Sequence, residues 1–180
     1  SAGQGTVIIN ELLASNVGGL QDEDGDASDW IELVNQGSAP VNLDGWYLTD
    51  DRELLGKWAL PSVDLAPGGY LIIFASGKDR RGHGATNLHT NFKLSAKGEY
   101  LALSRGVEEL EIKSEFSPDY GTQAGDVSFG THRSPGYHLL SPPTPWATNT
   151  TSEVVEPPPA PVVFSHGSGL FFSPVTLSIT

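Results

Sequence analysis

The 180-residue sequence contains no cysteine and no methionine. The absence of cysteine excludes disulfides, thiolate zinc sites and a cysteine nucleophile. The absence of methionine predicts a processed or excised chain from which any signal peptide has already been removed. Apolar runs are short as well, and none approaches the ~18 residues that a membrane-spanning helix needs.

Basic residues are scarce: 10 Lys and Arg stand against 22 Asp and Glu, which gives a formal net charge of −12. Such a surface repels phosphate backbones and anionic lipid headgroups. The charge balance therefore argues against nucleic-acid binding and membrane insertion, and it favours divalent cations and basic partners.

Glycine and proline are frequent, with 21 and 13 residues, and no long segment has helical periodicity. Short apolar or alternating runs separated by turn signals predict about eight strands and an all-β fold, most commonly an immunoglobulin-like β-sandwich. The predicted strands are 6–13, 30–34, two within 40–48 that are separated at Asp44 and Gly45, 57–60, 70–75 (expected to be central), 99–104 and 108–113. Residues 76–91 are predicted to form a loop, and 126–131 a last strand in an otherwise irregular stretch.

Composition divides the chain into four parts. Residues 1–5 are predicted to be disordered, and 6–149 to form the sandwich with an irregular C-terminal extension. Residues 150–161 include the run EPPPAP, which favours an extended polyproline linker. Residues 162–180 are apolar and alternating again, and they are too few to bury a core, so they predict the truncated start of a second β domain.

Five stretches within residues 6–115 share a recognisable pattern: VIINELLASN, DWIELVN, VNLDGWYLTDD, KWALPSVDLAPGGYLIIFASG and FKLSAKGEYLALS. Together they resemble the lamin tail domain family. The similarity implies an immunoglobulin-like sandwich and, because bacterial members occur in large secreted or surface proteins, an extracellular location. No coiled-coil rod is present, so a filament role does not transfer. Residues 162–180 are similar to the start of the C-terminal domain of chitobiases and β-hexosaminidases.

The acidic loop QDEDGDAS, residues 21–28, is the most distinctive polar segment. Calcium takes six to eight oxygen ligands, and closely spaced carboxylates on a glycine-containing loop can supply them. The candidate ligands are Asp22, Asp24, Asp26 and Asp29. The spacing is not that of an EF-hand, and a solvated acidic loop is the alternative reading.

Other side chains suggest chemistry less directly. Glu11 and Glu32, on neighbouring predicted strands, are a candidate carboxylate pair of the glycosidase type, or else structural acceptors for backbone amides. The histidines lack metal-ligand spacing, His83 and His89 are expected at the surface, and the GxSxG nucleophile elbow is missing.

Tryptophans offer a possible carbohydrate platform, since aromatic faces stack on sugar rings. Trp30 and Trp46 are expected in the core, and Trp146 is expected to dock on the sandwich. Trp58 is the candidate for exposure and carbohydrate binding.

The sequence therefore predicts a non-catalytic structural or interaction module of a secreted or surface multi-domain protein, with calcium as a candidate stabilising ion. A carbohydrate-binding module that uses exposed aromatics is the alternative, and a hydrolase is a third. The expected partners are a protein or polysaccharide and the neighbouring domains of the same polypeptide, outside a bacterial cell or at its surface.

Overall fold

The computed structural model describes residues 7–83 and 86–157, apart from the side chain of His83. The expectations for residues 1–5, for 158–161 at the end of the predicted linker and for 162–180 lie outside the described residues.

The described residues form two β-sheets, a two-stranded ribbon and a single turn of 3-10 helix at Asn149–Thr151. No helix in these residues is long and apolar enough to cross a membrane. In chain order the strands are β1 (Val7–Leu13), β2 (Trp30–Asn35), β3 (Val41–Asn42), β4 (Trp46–Thr49), β5 (Trp58–Ala59), β6 (Asp64–Leu65), β7 (Tyr70–Phe74), β8 (Arg80–His83), β9 (Thr86–His89), β10 (Leu101–Arg105), β11 (Glu111–Phe116), β12 (Ser128–Thr131), β13 (Tyr137–Ser141) and β14 (Glu153–Val155).

The larger sheet has eight strands in the order β14-β13-β12-β1-β2-β7-β9-β8, and the smaller has four in the order β11-β10-β4-β5. Apolar side chains of both sheets meet in one buried core that includes Ile9, Ile31, Trp46 and Leu103. Burial of each such side chain contributes roughly 1.5–3 kcal/mol, so this layer supplies the main driving force for folding. The predicted all-β sandwich of immunoglobulin-like class is confirmed.

A β-bulge at Asn10 reverses the alternation of side chains along β1. The pairing with β2 runs regularly as far as Ile9 opposite Leu33 and resumes with Glu11 opposite Glu32. The extra residue moves the core positions from odd to even numbers, so Ile9 and Leu12 both face the sandwich core. Asn10 and Glu11 consequently face away from that core.

The outer face of the larger sheet is buried as well. Leu13, Trp30, Ile72 and Phe74 form a second apolar cluster there, with Leu20, just before the acidic loop, packed against it. Strands with two buried faces need apolar residues at nearly every position. This explains the continuous apolar runs of β1, β2 and β7, and β7 is an interior strand as predicted.

The stretch after β11 is more regular than predicted. Strand β12 lies within the predicted 126–131, but β13 and β14 also continue the larger sheet. The predicted end of the domain at residue 149 is therefore too early, because β14, assigned to the linker, pairs with β13. Gly130 lets β12 approach the bulge, since a Cβ at that position would lie 2.6 Å from the Asn10 carbonyl oxygen.

The predicted loop at residues 76–91 is also wrong in part, because it contains the hairpin strands β8 and β9. Their residues include charged and polar side chains without a clean alternation, so periodicity did not reveal them. A single parallel pair, Phe74 with His89, joins this hairpin to the edge of β7.

Deleting Asn10 should remove the bulge and leave the domain folded at reduced stability. Glu11 would then follow Ile9 directly, so Glu11 stays opposite Glu32 and Leu12 stays in the core, while the hydrogen bonds from the Asn10 amide to Glu32 and Asn149 are lost. Circular dichroism and urea unfolding would measure the effect. The comparison variant Asn10→Ala keeps the chain length, loses the same hydrogen bonds and should lose a similar stability; a deletion variant that unfolds while Asn10→Ala stays folded would contradict the assignment of Asn10 as the extra residue.

Candidate functional site

Asp22 organises the acidic loop between β1 and β2 with a buried carboxylate. Its Oδ1 accepts hydrogen bonds from the backbone N–H groups of Asp24 and Asp26, both at 3.0 Å, and its Oδ2 accepts one from the Ser28 hydroxyl at 2.9 Å. Aspartate closes turns in this way because its short side chain reaches backbone groups a few residues ahead. One of the loop's own acids thus determines its shape.

Lys78 places its ammonium group where three of these carboxylates converge. Its Nζ lies 2.6 Å from Asp22, 2.7 Å from Asp24 and 2.9 Å from Asp26. Oxygens of the three aspartates lie within 4.8 Å of one another, a spacing suited to holding a cation. The geometry therefore pairs the acidic loop with a cation from the turn between β7 and β8.

This arrangement keeps both partners charged. Burial opposes ionisation of Asp22, but hydrogen bonds from Lys78, Ser28 and backbone amides lower its pKa well below the usual range. Burial also opposes the charge on Lys78, yet its bonds to the three carboxylates raise the pKa of the ammonium. Asp24 and Asp26 are 39% and 63% exposed, so water screens much of their contribution.

Asp29 lies outside this cluster, and its role as a ligand beside the other three carboxylates stays a prediction. Its Oδ1 accepts a hydrogen bond from the Asn16 N–H at 2.9 Å, and its carbonyl oxygen accepts one from the Ala75 N–H at 2.7 Å. Burial raises the pKa of its carboxyl group. Asp29 thus joins the end of the acidic loop to Asn16 and to Ala75, just after β7.

Glu23 connects the loop to the β8–β9 hairpin. Its carboxylate lies 2.8 Å from the Arg80 guanidinium and 2.8 Å from Nε2 of His89. The His89 ring is buried, with Nδ1 2.8 Å from the Ser76 hydroxyl, and it stacks on Phe74 with ring centroids 5.3 Å apart. The expectation that His89 lies at the surface is wrong, because its strand packs beside β7.

Glu11 is fully buried on the outer face of the larger sheet, where it binds the segment that covers this face. This covering segment comprises residues 142–149. The Glu11 carboxylate accepts hydrogen bonds from the backbone N–H and the hydroxyl of Thr144, both at 3.1 Å, and one from the Ser128 hydroxyl. Burial raises the pKa of Glu11, although these hydrogen bonds oppose the rise.

Glu32, directly opposite Glu11 on β2, holds the same segment. It accepts hydrogen bonds from the Asn10 amide at 2.7 Å and from the backbone N–H of Trp146 at 2.5 Å. Burial, together with repulsion from Glu11, raises the pKa of Glu32 to about 7. Each carboxylate accepts a hydrogen bond from a backbone amide, as the structural reading expects.

The tryptophans are arranged differently from the prediction in two respects. Trp30 and Trp46 are buried as expected, but Trp58 is also fully buried, so its expected exposure is wrong. Its ring packs in the sandwich core, and its Nε1 donates a hydrogen bond to Asp79 at 3.1 Å. Trp146 is held through its backbone N–H, which donates to Glu32, and the residue is 56% exposed.

Three further residues that organise these sites did not stand out in the sequence. The sequence could have pointed to Lys78, because it is one of few bases in an acidic chain and opposite charges favour pairing. Nothing in the sequence pointed to Thr144 or Asn149. The Asn149 amide joins the Thr144 hydroxyl at 3.0 Å to the Thr131 carbonyl at 2.8 Å, a link between distant residues that only folding creates.

The fold and its polar clusters, which hold the protein's own loops in place, define this protein as a β-sandwich module. A model of the Lamin Tail Domain family matches residues 1–114. The chain belongs to this family, and the resemblance seen in the sequence is confirmed. A search of curated proteins found no match.

The family match ends within β11, whereas the larger sheet continues through β12, β13 and β14. The covering segment that binds Glu11 and Glu32 therefore lies beyond the matched residues. The similarity of residues 162–180 to a chitobiase-type domain stays a prediction.

Replacing Glu32 with Gln should flatten the dependence of stability on pH. The folded-state pKa of about 7 exceeds the ordinary value of 4.5, so the folded protein binds the additional proton between these pH values. The contribution of this carboxyl group to stability is therefore fully present below pH 4.5 and is lost as pH rises through 7, a loss of roughly 3–4 kcal/mol at ~1.4 kcal/mol per pKa unit.

Urea unfolding at pH 5 and pH 8 would test this. The wild type should lose more stability than Glu32→Gln across the interval, while Glu153→Gln, an exposed site on β14, should behave as the wild type. An equal loss in all three proteins would exclude Glu32 as a source of the pH dependence.

Proposed function

We propose that this chain is a non-catalytic structural or interaction module. The observation that carries the proposal is the closure of the covering segment over Glu11 and Glu32, whose carboxylates accept hydrogen bonds from the backbone at Thr144 and Trp146. A glycosidase needs two carboxylates that can reach a substrate bond from opposite sides. Here Glu11 and Glu32 hold the covering segment in place, which favours a structural role over catalysis.

The proposed setting is a secreted or surface protein with several domains. Support comes from membership of the Lamin Tail Domain family and from the resemblance to its bacterial members. The net charge of −12 favours a partner that is neutral or basic. Neighbouring domains of the same polypeptide are the first such partners to consider.

A hydrolysis screen tests the non-catalytic assignment. The purified chain should release no product from chromogenic glycosides, esters and phosphates above a buffer control. Turnover that is lost in Glu11→Gln and in Glu32→Gln, with both variants still folded, would instead identify the buried pair as catalytic. Glu153→Gln serves as the matched control for the loss of one carboxylate.

Whether calcium stabilises the acidic loop depends on Lys78. We propose that this ammonium occupies the position where the carboxylates of Asp22, Asp24 and Asp26 would bind calcium. The internal cation neutralises the repulsion between these acids without a bound ion. Calcium would have to displace the lysine in order to bind the same oxygens.

Lys78→Met should lower stability and create a response to calcium. Because only Asp22 of the three acids is buried, the loss should be ~1–3 kcal/mol, below the ~3–5 kcal/mol for breaking a fully buried pair. Calcium should then restore stability in proportion to RT ln(1 + [L]/Kd).

Thermal unfolding in calcium and in EDTA at equal ionic strength measures this response. The melting temperature should rise with calcium for Lys78→Met and stay constant for the wild type and for the exposed-site control Lys97→Met. A rise of the same size in all three proteins would show that calcium binds without displacing Lys78.

A further inference from the structure

A cavity of about 290 Å³ opens on the outer face of the larger sheet, between the acidic loop and the covering segment. It is lined by the apolar residues Ile72 and Phe74, which are 6% and 8% exposed and belong to the second apolar cluster. Trp146 also lines it, as do the polar residues Gln21, Asp22, Glu23, Thr86 and Asn87. Its size is near the lower end of the ~300–1,000 Å³ typical of ligand pockets.

Trp146 is held at this cavity in a conformation that a bulky residue rarely adopts. Its φ angle is 61°, although its side chain is 56% exposed and makes no contribution to either apolar cluster. Residues with strained backbone angles persist only where their surroundings hold them, and they concentrate at functional sites. Here the hydrogen bond from the Trp146 N–H to the buried Glu32 carboxylate holds the backbone.

The anchoring of Trp146 is energetically expensive. Two carboxylates, Glu11 and Glu32, are buried side by side to fasten residues 144 and 146, and burial raises the pKa of both. Apolar side chains would cover this face of the sheet without that penalty. The structure therefore uses buried charge to display an aromatic ring beside an open cavity.

The charges at the cavity wall already have partners. Glu23 binds Arg80 and His89, and Asp22 binds Lys78. A cationic ligand would therefore compete with internal cations, and the remaining recognition groups are one aromatic face, an apolar floor and neutral amides. These groups suit a neutral molecule that has both an apolar face and hydroxyl groups.

We propose that this cavity is a binding subsite for a neutral saccharide. One face of a pyranose ring carries C–H groups that pack on an indole, while its equatorial hydroxyls can exchange hydrogen bonds with the amides of Gln21 and Asn87. The inference goes beyond the proposed function, because a non-catalytic module requires no saccharide site. Its failure would leave that function standing, just as turnover in the hydrolysis screen would leave this subsite untouched.

Isothermal titration calorimetry with cellohexaose, xylohexaose and N-acetylchitohexaose tests the proposal, with a hexalysine peptide as the cationic comparator. At least one oligosaccharide should bind, and Trp146→Ala should weaken that binding by ~10-fold or more, as expected for loss of a central aromatic contact. Trp146→Phe retains an aromatic face and should lose much less affinity.

Leu54→Ala is the matched control, since Leu54 is a similarly exposed apolar side chain, 53% accessible, outside the cavity. It should bind as the wild type does, and thermal unfolding would establish that every variant remains folded. The proposal is overturned if none of the three oligosaccharides binds, if Trp146→Ala binds them as tightly as the wild type, or if only hexalysine binds.

Discussion

The extra residue in β1 is the constraint on which the rest of the structure depends. The bulge at Asn10 keeps Ile9 and Leu12 in the sandwich core while it directs Asn10 and Glu11 to the opposite face. It thereby places Glu11 beside Glu32 and creates a polar strip across an otherwise apolar surface. Without this reversal, Glu11 would face the sandwich core and could not accept the hydrogen bonds from Thr144.

That polar strip makes the outer face of the larger sheet an attachment surface. Its two carboxylates accept hydrogen bonds from the backbone N–H groups of Thr144 and Trp146, and Asn149 binds the same segment to β12. Buried carboxylates are costly unless hydrogen bonds satisfy them, so the segment and the glutamates stabilise each other. This mutual dependence explains why the folded unit extends beyond the residues matched to the Lamin Tail Domain family.

The carboxylates of the acidic loop also bind groups from elsewhere in the chain, but their partners are cationic side chains instead of backbone amides. Asp22 shapes the loop through backbone hydrogen bonds, and Lys78 supplies the positive charge that the converging acids require. Arg80 and His89 do the same for Glu23. Lys78, Arg80 and His89 thus lie where carboxylates are dense, and they fasten the acidic loop to the β7–β9 region.

The sequence by itself determined the all-β class, the positions of most core strands and the burial of Trp30 and Trp46, because these depend on local apolar pattern and turn residues. It could not determine the partners of the charged residues or the exposure of Trp58 and Trp146. Lys78 meets Asp22, and Trp146 meets Glu32, across separations of 56 and 114 residues. Such contacts depend on strand order, register and the bulge, so only the tertiary structure decided them.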